Sequence, residues 1–137
     1  MSKAAEAMRA RLLEGLREKG AQHTYWRSRP GTFDMASEVL AERLGMQRPA
    51  VKKALQRFAV EGSTPPRNGA VVAHLAAWVG IDPREALEAL EDPWKTRGYA
   101  WTDHALTRLE RWRSSRSPGG RDTQLEPSVP PSAGGRT

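Results

Sequence analysis

The chain has 137 residues, with 22 lysines and arginines against 16 aspartates and glutamates, a formal net charge of +6 at pH 7. This length suits one domain with appendages, and a basic balance favours a polyanionic partner such as nucleic acid. The lack of cysteine excludes disulfides and thiolate metal sites. Because neither a signal-peptide core nor an apolar run of membrane-spanning length is present, we expect a cytoplasmic protein with no membrane partner.

The first part of the chain predicts two helices. Apolar residues recur every four positions over 2–19, which predicts a helix that ends at Gly20. Residues 21–33 then form a connection rich in aromatic residues and arginine. A second helix is predicted over 35–44, with Asp34 as its N-cap.

The third predicted helix, 47–60, has two unlike faces. Pro49 lies in its first turn, where the missing N–H costs little. Val51, Leu55 and Phe58 recur at helical spacing and form its inner face. The other side carries only positive charge, from Arg48, Lys52, Lys53 and Arg57.

Two capped helices are predicted after Gly62, which closes the third helix, and a loop over 63–69. Asn68 is the expected N-cap of a helix over 69–79. Asp82 is the expected N-cap of the next helix, 83–91. Proline follows at the first helical position, and the glutamate at the third position can accept a hydrogen bond from the backbone N–H of the N-cap residue.

The C-terminal region combines an aromatic loop, a last helix and a tail. Residues 94–101 are interpreted as the loop, and Thr102 or Asp103 caps a helix that runs to residue 113. Ser, Pro and Gly make up 13 of the 24 residues of 114–137, so this tail cannot bury enough apolar surface to fold and is expected to be disordered. The sequence therefore predicts an all-α fold, with five to six helices over 1–113.

The segment from Leu40 to Val51 carries a spaced pattern. Two helices that cross closely need a small residue where they touch, a turn residue that tolerates positive φ, and an apolar residue inside the second helix. Ala41, Gly45 and Val51 meet these needs in turn. The segment resembles helix-turn-helix DNA-binding regulators, in a pattern common to lambda-repressor-like (XRE-type) and winged-helix proteins.

The rest of the chain bears on the choice between these two families. Residues 75–87 resemble the closing helices of lambda-repressor-like domains, and residues 12–20 resemble their first helix, so we prefer an all-helical version. In the winged-helix alternative, residues 63–68 would form a basic wing, and Val71 and Val72 a strand.

The resemblance implies a regulator, expected to be a repressor of phage, plasmid or bacterial origin, that reads the major groove of duplex DNA with helix 47–58. The implied DNA-binding residues are Gln47, Arg48, Lys52, Lys53, Gln56 and Arg57. Arginines in the loops offer accessory contacts, namely Arg27, Arg29 and Arg67. Such regulators usually bind as homodimers, and the candidate dimer interface on the last helix is Leu106, Leu109 and Trp112.

No catalytic or metal-binding pattern stands out. His23, His74 and His104 lie far apart without ligand spacing, and His74 is placed on the polar side of the fourth helix. We therefore expect no enzyme, no metal and no cofactor. Two alternatives stay open: a replication, partition or packaging factor that binds DNA, and an adaptor that inhibits host transcription machinery such as RNA polymerase.

Overall fold

A computed structural model describes residues 2–22, 32–60 and 62–116, and all regular structure in these ranges is helical. The helices in this part of the chain are α1 (Lys3–Gln22), α2 (Thr32–Leu44), α3 (Arg48–Phe58), α4 (Gly69–Val79), α5 (Pro83–Leu90), α6 (Asp92–Lys95) and α7 (Trp101–Arg116). The all-α prediction is confirmed. Val71 and Val72, the strand of the winged-helix alternative, lie inside α4.

The core is organised around α4. Every residue from 69 to 76 is buried, and the helix packs against α1, α2 and α5. A helix that is apolar on all sides must be covered on all sides, which explains this central position. The placement of His74 on a polar face was wrong, because α4 has no such face and His74 is buried.

The predicted N-caps of α4 and α5 are confirmed. The side chain of Asn68 accepts a hydrogen bond from the backbone N–H of Ala70 at 3.1 Å. The side chain of Asp82 accepts one from Arg84 at 3.2 Å. Glu85 does not reach back to its own helix end; its carboxylate lies 3.4 Å from the guanidinium of Arg11 on α1.

Two helix ends in the first half of the chain differ from the prediction. α1 continues through Gly20 to Gln22, because one glycine costs a helix only about 1 kcal/mol and does not by itself end it. α2 begins at Thr32, so Asp34 lies in its first turn rather than before it. A carboxylate in that turn is favoured by the helix dipole.

Two differences also occur in the second half. Residues 92 and 93 lie beyond the helix predicted over 83–91, but they begin α6, where Pro93 lies in the first turn, a place that proline tolerates well. α7 begins at Trp101 rather than after Thr102 or Asp103, and it ends at Arg116, three residues inside the predicted tail. The remainder of that tail, 117–137, lies outside the described residues.

The chain divides into a unit that ends at Leu106 and a second that begins at Thr107. In the second unit, the carboxylate of Glu110 pairs with Arg113 at 3.0 Å, and the hydroxyl of Ser115 donates to the carbonyl of Trp112 at 2.9 Å. No helix in the described ranges is both long and apolar enough to span a bilayer, and no three His, Asp or Glu side chains gather there as metal ligands.

Candidate nucleic-acid interface

α2 and α3 are joined by the short turn 45–47 and pack against each other. Gly45 has φ of +67°, as its predicted role in the turn requires. The N–H of Met46 donates to the carbonyl of Ala41 at 3.1 Å, a bond that typically closes a helix ending on a left-handed residue. Ala41 and Val51, the small and apolar positions of the pattern, are both buried.

Replacing Gly45 by alanine is expected to lower the free energy of unfolding by about 1 kcal/mol, because the left-handed conformation disfavours a Cβ atom. A Cβ there would meet nothing within 4 Å, so the loss reflects backbone conformation alone. Gly45→Asn is the matched control and should cost less, since asparagine adopts this conformation more readily. Urea denaturation measures both variants, and equal losses would contradict this explanation.

The rotation of α3 is set by its inner face. Val51, Leu55 and Phe58 are all but fully buried, as predicted. With about 3.6 residues per turn, Lys53 then lies on the opposite side, and Gln56 and Arg57 flank it. The N-terminal turn is also open to solvent, because residues 47–50 are all exposed.

The predicted DNA-binding residues are not equivalent in the structure. Five of them are exposed: Gln47, Arg48, Lys53, Gln56 and Arg57. Lys52 differs, since its ammonium lies 2.7 Å from the carboxylate of Asp34 on α2, with the two side chains 41% and 58% exposed. Lys52 therefore links α2 to α3, and its charge is partly balanced.

Arg9 contacts the buried face of α3 and was missed by the sequence analysis. It is only 3% exposed, and its guanidinium lies 5.2 Å from the centre of the Phe58 ring. One terminal nitrogen lies 2.7 Å from the carboxylate of Glu6, and the other donates to the backbone carbonyl of Ser63. This single side chain thus joins α1, α3 and the loop after α3.

The loop after α3 is tied to the helix and to two indoles. The hydroxyl of Ser63 lies 2.7 Å from the carbonyls of both Arg57 and Val60, at the C-terminal end of α3. Farther along, the indole N–H of Trp94 donates to the carbonyl of Pro65 at 3.1 Å, and that of Trp101 to Pro66 at 2.9 Å.

The remaining predicted residues lie in several places. Arg67 is exposed in the loop before α4, with its guanidinium 5.9 Å from the ring centre of Tyr99. Arg27 and Arg29 lie outside the described residues. On α7, Leu106 and Trp112 are partly exposed, whereas Leu109 is buried.

Arg97 was also missed, because residues 94–101 were interpreted only as an aromatic loop. Its exposed guanidinium lies 5.0 Å from the ring centre of Trp94. An arginine three positions after a tryptophan is the only local signal, and it indicates no function by itself.

No family model, curated protein or solved structure matches this chain.

Proposed function

We propose that the protein binds double-stranded DNA with sequence preference, as a regulator of transcription, and that α2 and α3 act as a helix-turn-helix. In this proposal α3 enters the major groove with its N-terminal turn leading. Its eleven residues span about 16 Å, and a major groove about 12 Å wide accepts a helix of this kind.

The observation that carries the proposal is the concentration of exposed positive charge on α3, a helix that contains no acidic residue. Among the described residues, no carboxylate lies within ion-pair distance of Arg48, Lys53 or Arg57. Some exposed cations elsewhere in the described chain pair with carboxylates, as in Arg11–Glu85, Arg17–Glu14, Arg84–Glu88, Lys95–Glu91 and Arg113–Glu110, whereas others, namely Arg67, Arg97, Arg108 and Arg111, do not. Unpaired cations on a rigid, outward face are what attraction to a line of phosphates requires.

The proposed contacts to DNA are of two kinds, to bases and to the phosphate backbone. Arg48 and Lys53 suit the O6 and N7 atoms of guanine, and Gln47 and Gln56 suit adenine. Arg57, beside the end of the helix, suits a backbone phosphate. Lys52 is expected to contribute less than the others, because Asp34 already holds its ammonium.

Selection of bound duplexes from a random library at physiological salt tests this proposal. We expect the recovered sequences to share a motif a few base pairs long, as one recognition helix reads few bases. An inverted repeat would further indicate that two copies bind together, for which partly exposed Leu106 and Trp112 offer apolar surface. Recovery of no common motif would contradict sequence-specific binding.

The salt dependence of duplex binding provides a second test. If three to five phosphates are neutralised, the logarithm of the binding constant should fall with the logarithm of salt concentration with a slope of about −3 to −5. Fluorescence anisotropy of a labelled duplex between low and physiological salt measures this slope. A slope near zero would contradict DNA binding and favour a protein partner.

A further inference from the structure

A groove of about 380 Å³ lies beside α3, between the loop 64–68 and α6. Its apolar lining includes Met46, Pro66 and Trp94, which are partly exposed, and Phe58 and Val71, which are almost fully buried. This volume falls at the lower end of the range of about 300–1,000 Å³ that is usual for small-molecule sites. The groove therefore suits a ligand of one or two rings.

The groove is strongly basic for its size. Arg57, Arg67 and Arg97 all line it, and none of the described lining residues is acidic. Two of these guanidiniums lie against aromatic rings, Arg97 against Trp94 and Arg67 against Tyr99. Rings orient a guanidinium without neutralising it, so the charge stays available to an anion.

The wall of the groove is held in place before any ligand arrives. The carbonyl of Pro65 is bonded to the indole of Trp94, and the side-chain amide of Asn68 lies 3.5 Å from the sulfur of Met46. Both prolines of the loop have a fixed φ, which removes much of its conformational freedom. A preformed wall lowers the entropy that binding would otherwise lose.

We propose that this groove binds a small apolar carboxylate, with its ring system against Trp94 and Pro66 and its carboxylate among the three arginines. A bare phosphate could pair with the arginines but would leave the apolar lining without a partner, so the groove favours an anion that also carries an apolar ring. The positive rim favours an anion over a neutral molecule of the same shape, because charge-assisted hydrogen bonds from arginine to carboxylate are the stronger kind.

One consequence of this site rests on the proposed function. Arg57 lies both on the outer face of α3 and in the groove, so a carboxylate that engages it competes with a phosphate. Ligand and duplex should then weaken each other's binding by the same factor, since coupling between two sites is reciprocal. The groove would thereby make DNA binding responsive to a metabolite of this chemical class.

The test uses 1-naphthoate as the probe and its neutral analogue 1-naphthamide as the control ligand. Each is titrated into the full-length ¹⁵N-labelled protein without DNA, and the indole N–H signal of Trp94 is followed by NMR. We expect 1-naphthoate to shift this signal and the amides of residues 67–69 saturably, and at least tenfold more tightly than 1-naphthamide. No saturable shift, or equal affinity for the two probes, would overturn the proposal.

Two variants test whether 1-naphthoate binds in the groove or is attracted only by the overall positive charge of the protein. Arg97→Met should weaken 1-naphthoate about tenfold and leave 1-naphthamide unchanged, while Arg111→Met, an equal loss of charge from exposed surface of α7, should change neither. Equal losses in both variants would overturn the proposal. Shifts of the Trp94 signal with a duplex or an acidic peptide, but not with 1-naphthoate, would assign the groove to another partner and also overturn it.

The assay without DNA keeps the two proposals separable. Binding of 1-naphthoate by a protein that selects no duplex would leave the groove intact and refute only the DNA-binding function. Duplex binding with an unresponsive groove would refute only the carboxylate site. If both bind and neither affects the other, the coupling through Arg57 is wrong.

Discussion

Replacing both Arg48 and Lys53 by glutamate should weaken duplex binding by about 100- to 1,000-fold at low salt. Each reversal removes a cation proposed to contact guanine and brings a negative charge near the phosphates, and the lost attraction and the added repulsion amount to about 1 kcal/mol each in water. Arg48 is the first residue of α3, where an acidic side chain favours the helix, and Lys53 lies on its exposed face, so the fold should be retained. Anisotropy with a selected duplex measures the loss.

The matched control is the double reversal Arg108→Glu and Arg111→Glu on α7. Both residues are exposed and, among the described residues, in no ion pair. Either double variant lowers the net charge from +6 to +2, so only the location differs. Equal loss of binding in the two variants would refute a specific role for α3. Lys52 is left out of the design because glutamate there would lie against Asp34 and disturb the α2–α3 packing.

Replacing Arg9 by alanine should lower the free energy of unfolding by about 3 kcal/mol. The change removes the guanidinium from the Phe58 ring, leaves the Ser63 carbonyl without this donor and opens a cavity behind α3. Glu6 would lose its partner too, but its side chain is 30% exposed and regains water, which limits that part of the loss. Urea denaturation followed by circular dichroism measures the change.

Arg17→Ala supplies the control on the same helix. Arg17 pairs with Glu14 at the same three-residue spacing as Arg9 with Glu6, but both side chains are more than 60% exposed. An exposed pair of this kind contributes little, so a change within about 0.5 kcal/mol is expected. If the two alanine variants lost equal stability, burial of Arg9 would not explain its importance.

Local signals in the sequence predicted local structure well. The caps Asn68 and Asp82, the inner face of α3 and the left-handed Gly45 all follow from a few neighbouring residues, and the structure has each of them. The burial of Arg9 could also have been predicted in part from its spacing along α1. It lies four residues from both Ala5 and Leu13 on the buried side of α1, a position that its charge obscured.

The features that depend on distant residues were not predictable in this way. The pairing of Lys52 with Asp34 requires the exact docking of α2 on α3, and two surface charges 18 positions apart give no sign of it. The groove brings together Met46, Phe58, Arg67 and Arg97, whose separations in sequence carry no periodic signal. Such sites arise from tertiary packing, which composition and spacing do not encode in any simple form.

The two indole hydrogen bonds to Pro65 and Pro66 have a consequence for synthesis of the chain. Their donors, Trp94 and Trp101, follow the acceptors by 29 and 35 residues. α3 and α4 can therefore leave the ribosome well before the segment between them acquires its final anchors. Early folding therefore has to proceed without these two hydrogen bonds. The surface beside α3 reaches its final structure only after Trp101 has been synthesised.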